Sequence, residues 1–144
     1  MTAEMAAFFR RMLSVGLSDA YQQYMEIALE EENPPSNLLL DLAFCLSDTN
    51  KTISILDDYI RDCTLNESNL YSMIVLELQK KVASGILTTE QYVKAVFAIM
   101  ESGNLCNNTA WKTANQLSYL YCDAKNDYLT MDEFLATFSA YMLP

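Results

Sequence analysis

Histidine is absent and bases are few: nine Lys and Arg stand against nineteen Asp and Glu, a formal net charge of −10. Histidine is the one side chain whose ordinary pKa falls roughly between pH 5 and 8, and it is the commonest metal ligand. Its absence excludes a Ser-His-Asp triad, a Cys-His pair and an H-E-x-x-H zinc helix. The shortage of cations argues against a nucleic-acid backbone or an anionic membrane as partner. Cysteine is limited to positions 45, 63, 106 and 122, with no C-x-x-C pair. Without histidine to complete a site, zinc is not expected. Each cysteine is read as a reduced thiol packed as a small hydrophobe. No apolar run approaches the roughly 18 residues of a membrane span. Positive charge does not precede the first apolar stretch, because Arg10 and Arg11 follow it. A signal peptide has the reverse order, so a cytoplasmic protein is expected. The N-x-[ST] triplets at Asn50, Asn66 and Asn107 then carry no glycosylation.

Glycine and proline number three each in 144 residues, and they fall where helices should stop. Gly16, Gly85 and Gly103 each follow an apolar or amphipathic stretch, the place of a left-handed residue just past a helix end. Pro34 and Pro35 separate an acidic run from Ser36, a candidate N-cap. With so few breakers inside the segments, eight helices and no sheet are predicted over a single domain, residues 1–144.

The apolar spacing agrees. Met5, Phe8, Phe9, Met12 and Leu13 follow the i, i+3, i+4 pattern of a one-faced helix. So do Tyr21, Tyr24, Met25, Ala28 and Leu29. Further stripes run through Ile53, Leu56, Ile60 and Cys63, through Ala114, Leu117, Ser118 and Tyr121, and through Met131, Phe134, Leu135, Phe138 and Met142. Three stretches, Leu38 to Leu46, Leu70 to Leu78 and Tyr92 to Met100, are apolar nearly all round and are expected to lie centrally. The fold class is therefore all-α, about eight short helices in an irregular array of antiparallel hairpins.

Capping boxes mark three expected helix starts: Thr64 with Glu67, Thr88 with Gln91, and Thr130 with Glu133. The segment Ile86 to Val93 also resembles Tyr128 to Leu135 at a spacing of 42 residues. Two copies do not make a solenoid; a shared capping solution and a shared buried face explain the likeness. Trp111, after Asn107-Asn108-Thr109, is read as packing a helix end.

Asp123 to Phe134 looks like the second half of a calcium loop. Calcium requires about six to eight oxygens at set loop positions, a glycine at position 6 and a bidentate Glu at position 12. With Glu133 as that residue, Cys122 and Ala124 occupy ligand positions and Asp127 replaces the glycine. With Asp123 first, the loop is one residue short. A polar turn plus a capping box explains the same residues, and the remaining alternative is a degenerate EF-hand-like module without functional calcium binding. No Gly-rich phosphate loop or G-x-S-x-G occurs, and the E-x-x-H of di-metal bundles cannot form. No enzyme activity, cofactor or metal is expected.

Charge is what remains. Residues 1–63 hold eleven acids and four bases, against eight and five beyond them. Glu26 and Glu30 are four apart and run into Glu31; Asp58 and Asp62 are four apart beside Asp57. Such faces keep a protein dissolved, or they dock a basic partner by steering it. Tyr24 and Tyr59, on the same two helices, are candidate anchors, since tyrosine is enriched at interface hot spots. Size, acidity, helical patterning and the closing Tyr141-Met142-Leu143-Pro144 resemble small acidic helical immunity partners of bacterial toxins, and uncharacterised bacterial helical domains. The resemblance implies a tight, non-catalytic protein binder that occludes a basic surface, and it assigns no residue a role. The expected contact set is Glu26, Glu30, Glu31, Asp57, Asp58 and Asp62 with Tyr24 and Tyr59. The competing class is a structural domain whose apolar helices assemble into a homo-oligomer.

Overall fold

A computed structural model describes residues 1–102 and 112–142. The chain is all-α: among the described residues there are eight helices and no strand. They are α1 (Ala3–Ser14), α2 (Asp19–Glu31), α3 (Asn37–Ala43), α4 (Thr49–Ile60), α5 (Glu67–Ala83), α6 (Thr89–Ser102), α7 (Lys112–Lys125) and α8 (Met131–Met142). None is long and apolar enough to cross a membrane. Gly103, Cys106, Asn107, Trp111 and the terminal Leu143-Pro144 lie outside the described residues. The chain divides into two compact units, Met1–Leu70 and Tyr71–Pro144.

In the first unit α1 packs chiefly along α4 and more lightly on α2, while α3 joins α2 to α4. The predicted stripe supplies the core: Phe8, Phe9, Met12 and Leu13 are buried with Ala6 and Ala7. They meet Tyr21, Met25 and Ala28 of α2, Leu39 and Leu42 of α3, and Leu56 of α4. Phe9 is the hinge of an aromatic group, with ring centroids 5.6 Å from Tyr21 and 5.2 Å from Tyr24. In the second unit α7 packs on both α6 and α8. Its core contains Ile74 and Leu78 of α5, Tyr92, Val93, Val96, Ile99 and Met100 of α6, and Leu117, Tyr121, Phe134 and Phe138.

The helix ends follow the expected chemistry at most positions. Ser36 Oγ accepts from Leu39 N at 3.2 Å. Thr88 and Gln91 form a reciprocal box at 2.8 and 3.1 Å, and Thr130 and Glu133 do the same at 3.0 and 3.2 Å. The two segments of the 42-residue likeness therefore share a cap and place Tyr92 and Phe134 in equivalent buried positions. Accepting from Thr130 holds the Glu133 carboxyl below its ordinary range. Gly16 and Gly85 adopt φ of +80° and +76° directly after α1 and α5, as a C′ residue must. Leu17 N reaches Met12 O at 3.0 Å and Gly16 N reaches Leu13 O at 3.1 Å, closing a Schellman motif after α1.

Three expectations are corrected. The Thr64 box does not form: α5 starts at Glu67, Asn66 Oδ1 caps it by accepting from Asn69 N at 3.1 Å, and Glu67 turns instead to Arg11. The three described cysteines are not small core hydrophobes: Cys63 and Cys122 are exposed and Cys45 is half-buried. Cys63 lies beyond the end of α4, so its stripe stops short of it. The three stretches expected to be buried nearly all round are not: Leu76 of α5 and Phe97 of α6 are exposed, and Leu38 to Leu46 is covered on one side only. Leu39 and Leu42 hold α3 to the core, but Leu40, Phe44 and Leu46 stand in solvent.

Asp127 takes the glycine's place after α7, at φ +62°. Tyr128 N donates to Asp123 O at 3.0 Å, again a Schellman-type closure. Residues 122–125 are helical, so the calcium-like segment is the end of α7, a left-handed turn and the α8 cap. Among the described residues no group of three or more acidic or thiol side chains could hold a metal.

Burial pushes the Tyr92 phenol far above its ordinary value near 10, with Tyr71 adding to the rise; burial raises Tyr71 as well. The unfolded chain therefore releases these protons first as pH climbs. Stability is intact below about pH 10 and falls as pH rises above it. Urea titrations between about pH 8 and 11 should show this loss. Tyr92→Phe should lessen it, Tyr71 keeping part of the dependence, and a flat wild-type profile would contradict the burial.

Candidate partner-binding surface

All eight expected contact residues belong to the first unit: Tyr24, Glu26, Glu30 and Glu31 on α2, Asp57, Asp58 and Tyr59 on α4, and Asp62 just past its end. A helix advances about 100° per residue, so Glu26 and Glu30 fall on the side of α2 away from buried Tyr21, Met25 and Ala28. Both are exposed, as is Glu31. Asp58, on α4, is exposed, and so is Asp62, in the turn just past the helix end. Asp57 is half-buried, where Arg10 of α1 grips it. Arg10 Nε donates to Oδ1 at 2.8 Å and Nη2 to Oδ2 at 3.4 Å. Asp57 is thus an internal clamp between α1 and α4, and its charge is already compensated. Asp58 is paired with Arg61, the residue that follows α4.

The two tyrosines are brought near each other. Burial raises the Tyr24 phenol first, with Glu32 and then Tyr59 adding to the rise. Tyr59 is exposed and its hydroxyl donates to the Met1 carbonyl at 2.9 Å. Tyr24 is half-buried against Phe9, so part of its ring serves the core. The structure thus separates the eight residues by their surroundings. Glu26, Glu30, Glu31 and Asp62 are exposed and make no ion pair among the described residues. Asp57 and Asp58 are paired, and the tyrosines sit by the N-terminal segment.

The unit's charge balance sharpens this. Residues 1–70 hold twelve carboxylates and only four Lys and Arg side chains. Arg10 pairs with Asp57, Arg11 with Glu67, Lys51 with Asp48, and Arg61 with Asp58. Every Lys and Arg side chain of the unit is therefore engaged inside it.

Sequence reasoning missed the exposed apolar residues on α3 and just past its end. Phe44 is 86 % exposed, Leu46 49 % and Leu40 38 %. The phase set by the Ser36 cap carries the missing signal. Leu39 and Leu42 are three apart on one side, while Leu40 and Phe44 are four apart on the other.

The second unit offers a different feature. Between α6 and α7 lies a cavity of about 100 Å3 lined by Val93, Lys94, Phe97, Ser118, Tyr121 and Cys122. Two of the lining residues bond to Glu90, which accepts from the Tyr121 hydroxyl at 2.8 Å and pairs with Lys94 at 3.0 Å. The Tyr121 hydrogen bond, followed by Lys94, holds the Glu90 carboxyl below its ordinary range. These three groups satisfy one another.

No family model, curated protein or solved structure matches this chain.

Proposed function

We propose that the chain is a non-enzymatic, cytoplasmic binding module that docks a basic protein on the acidic surface of its first unit and occludes the site it covers, as an inhibitor or immunity protein does. The observation that carries this reading is the engagement of all four Lys and Arg side chains of residues 1–70, while Glu26, Glu30, Glu31 and Asp62 remain exposed and uncompensated. An uncompensated surface charge attracts opposite charge over about 8–10 Å at physiological ionic strength. It therefore accelerates encounter with a cationic protein and repels acidic competitors. Asp57 is removed from the docking set because Arg10 holds it, and Asp58 contributes less because Arg61 screens it.

The test is capture from a lysate of the native cells at low and moderate salt, with quantitative mass spectrometry. The expected result is one basic protein in near-stoichiometric amount, retained at low salt and partly released at moderate salt. Recovery of acidic or neutral partners indifferent to salt would contradict the reading. Recovery of only untagged copies of the chain would assign it to self-assembly.

A further inference from the structure

The eight-residue contact set leaves out the most exposed aromatic ring in the first unit. Phe44 follows the last residue of α3, and its backbone N–H donates to Leu40 O at 3.1 Å. That bond needs no particular side chain. Leu39 and Leu42 already fasten α3 to the core, so the ring contributes nothing visible to folding. Leu40, one turn before it, lies on the same side of the helix because residues four apart are neighbours on a helix surface. Leu46 follows two residues later. Apolar groups gathered in this way mark interaction sites more often than isolated ones do.

We propose that Leu40, Phe44 and Leu46 form the apolar centre of the partner site, and that the occupant is an amphipathic segment carrying both apolar and cationic side chains. This rests on the acidic-module reading and names the part of the partner that the module grips. Charge selects the occupant. Asp41 is exposed immediately beside Leu40, and Lys51, the cation of the following helix start, is tied to Asp48 at 3.8 Å. A segment with leucines or aromatics on one side and lysines or arginines on the other buries Phe44 and places a cation over the exposed Asp41 carboxylate. A second copy of this chain would bring another net charge of −10 to the same place and is disfavoured by repulsion. An acidic or purely apolar segment satisfies only one half of the surface.

The probe is a synthetic amphipathic helical peptide of leucine and lysine, fluorescently labelled and read by anisotropy against the full chain. A serine–lysine peptide of equal charge is the control. The chain is expected to bind the leucine–lysine peptide, and Phe44→Ser to weaken it about 30-fold, the loss typical of a hot-spot residue. Leu40→Ser weakens it less, and Phe44→Trp retains it. The serine–lysine peptide binds weakly and does not sense position 44. Because Phe44 is in solvent, circular dichroism of the variant should match wild type. Equal affinity of wild type and Phe44→Ser for the leucine–lysine peptide would overturn the proposal. If Glu26→Lys, Glu30→Lys and Asp62→Lys together still abolish binding in that case, the acidic-module reading stands and only the apolar centre falls. If neither set of changes matters, both fall. A concentration-dependent dimer in sedimentation that Phe44→Ser dissolves would also overturn the proposal, by giving the face to a second copy.

Discussion

Phe134→Ala is expected to destabilise the second unit by about 3–5 kcal/mol, the range for removing a fully buried phenylalanine. Phe134 has no exposed surface and sits in the first turn of α8. Its ring centroid lies 5.8 Å from Phe138, stacked, and 5.5 Å from Tyr121 of α7, edge-on. Phe138 in turn meets Tyr92 of α6 at 5.2 Å. Four rings thus tie three helices together, and Phe134 is the link between α7 and the rest. Alanine removes the transfer free energy of the ring and leaves a void that three neighbouring helices cannot all collapse into. Urea unfolding followed by far-ultraviolet circular dichroism measures the loss. A change under about 1 kcal/mol would mean that the ring cluster does not hold this unit.

Glu67→Ala should be the next most damaging change, at roughly 2–3 kcal/mol. Arg11 is a charged residue buried in the first unit, 8 % exposed. Its Nη1 lies 3.5 Å from Glu67 Oε2, an ion pair without hydrogen-bond geometry. Burial lowers the Arg11 pKa more than the Glu67 carboxylate beside it restores. Stripping away the carboxylate leaves a buried cation uncompensated, which costs about 3–5 kcal/mol when both partners are sequestered. Glu67 retains part of its exposure, so water returns some of that cost. The informative companion is the double change Arg11→Met with Glu67→Leu. An apolar pair of similar size is expected to recover most of the stability, because the weakly aligned ion pair itself contributes little. Failure of the double variant to recover would show that the pair is a net stabiliser.

The same pair shows where sequence reading ends. The threonine–glutamate spacing at Thr64 and Glu67 matches a capping box as well as the spacings at Thr88 and Thr130 do. A local pattern cannot register that Arg11, 56 residues earlier, claims the carboxylate, or that Asn66 is free to cap. What is decided locally was legible: the helices, the Ser36 cap, the left-handed Gly16 and Gly85, and the α1 stripe. What depends on the neighbour across the fold was not. Leu38 to Leu46 reads as a buried helix because hydrophobicity alone does not say how many sides are covered. Asp57 and Asp62 look equivalent on paper, yet only Asp57 faces Arg10. The acidic surface was legible as composition, and its division into clamped and uncompensated carboxylates was not.

The most direct test of partner docking is the association rate of the captured basic protein with wild type and with the triple variant Glu26→Lys, Glu30→Lys, Asp62→Lys. The variant raises the charge of residues 1–70 by six units without touching a buried residue or an ion pair. At low ionic strength association should slow by about tenfold or more, within the range of steering effects. Dissociation and helical content should change little, and the difference should shrink as salt is added. An association rate equal to wild type at low salt would contradict docking through this surface.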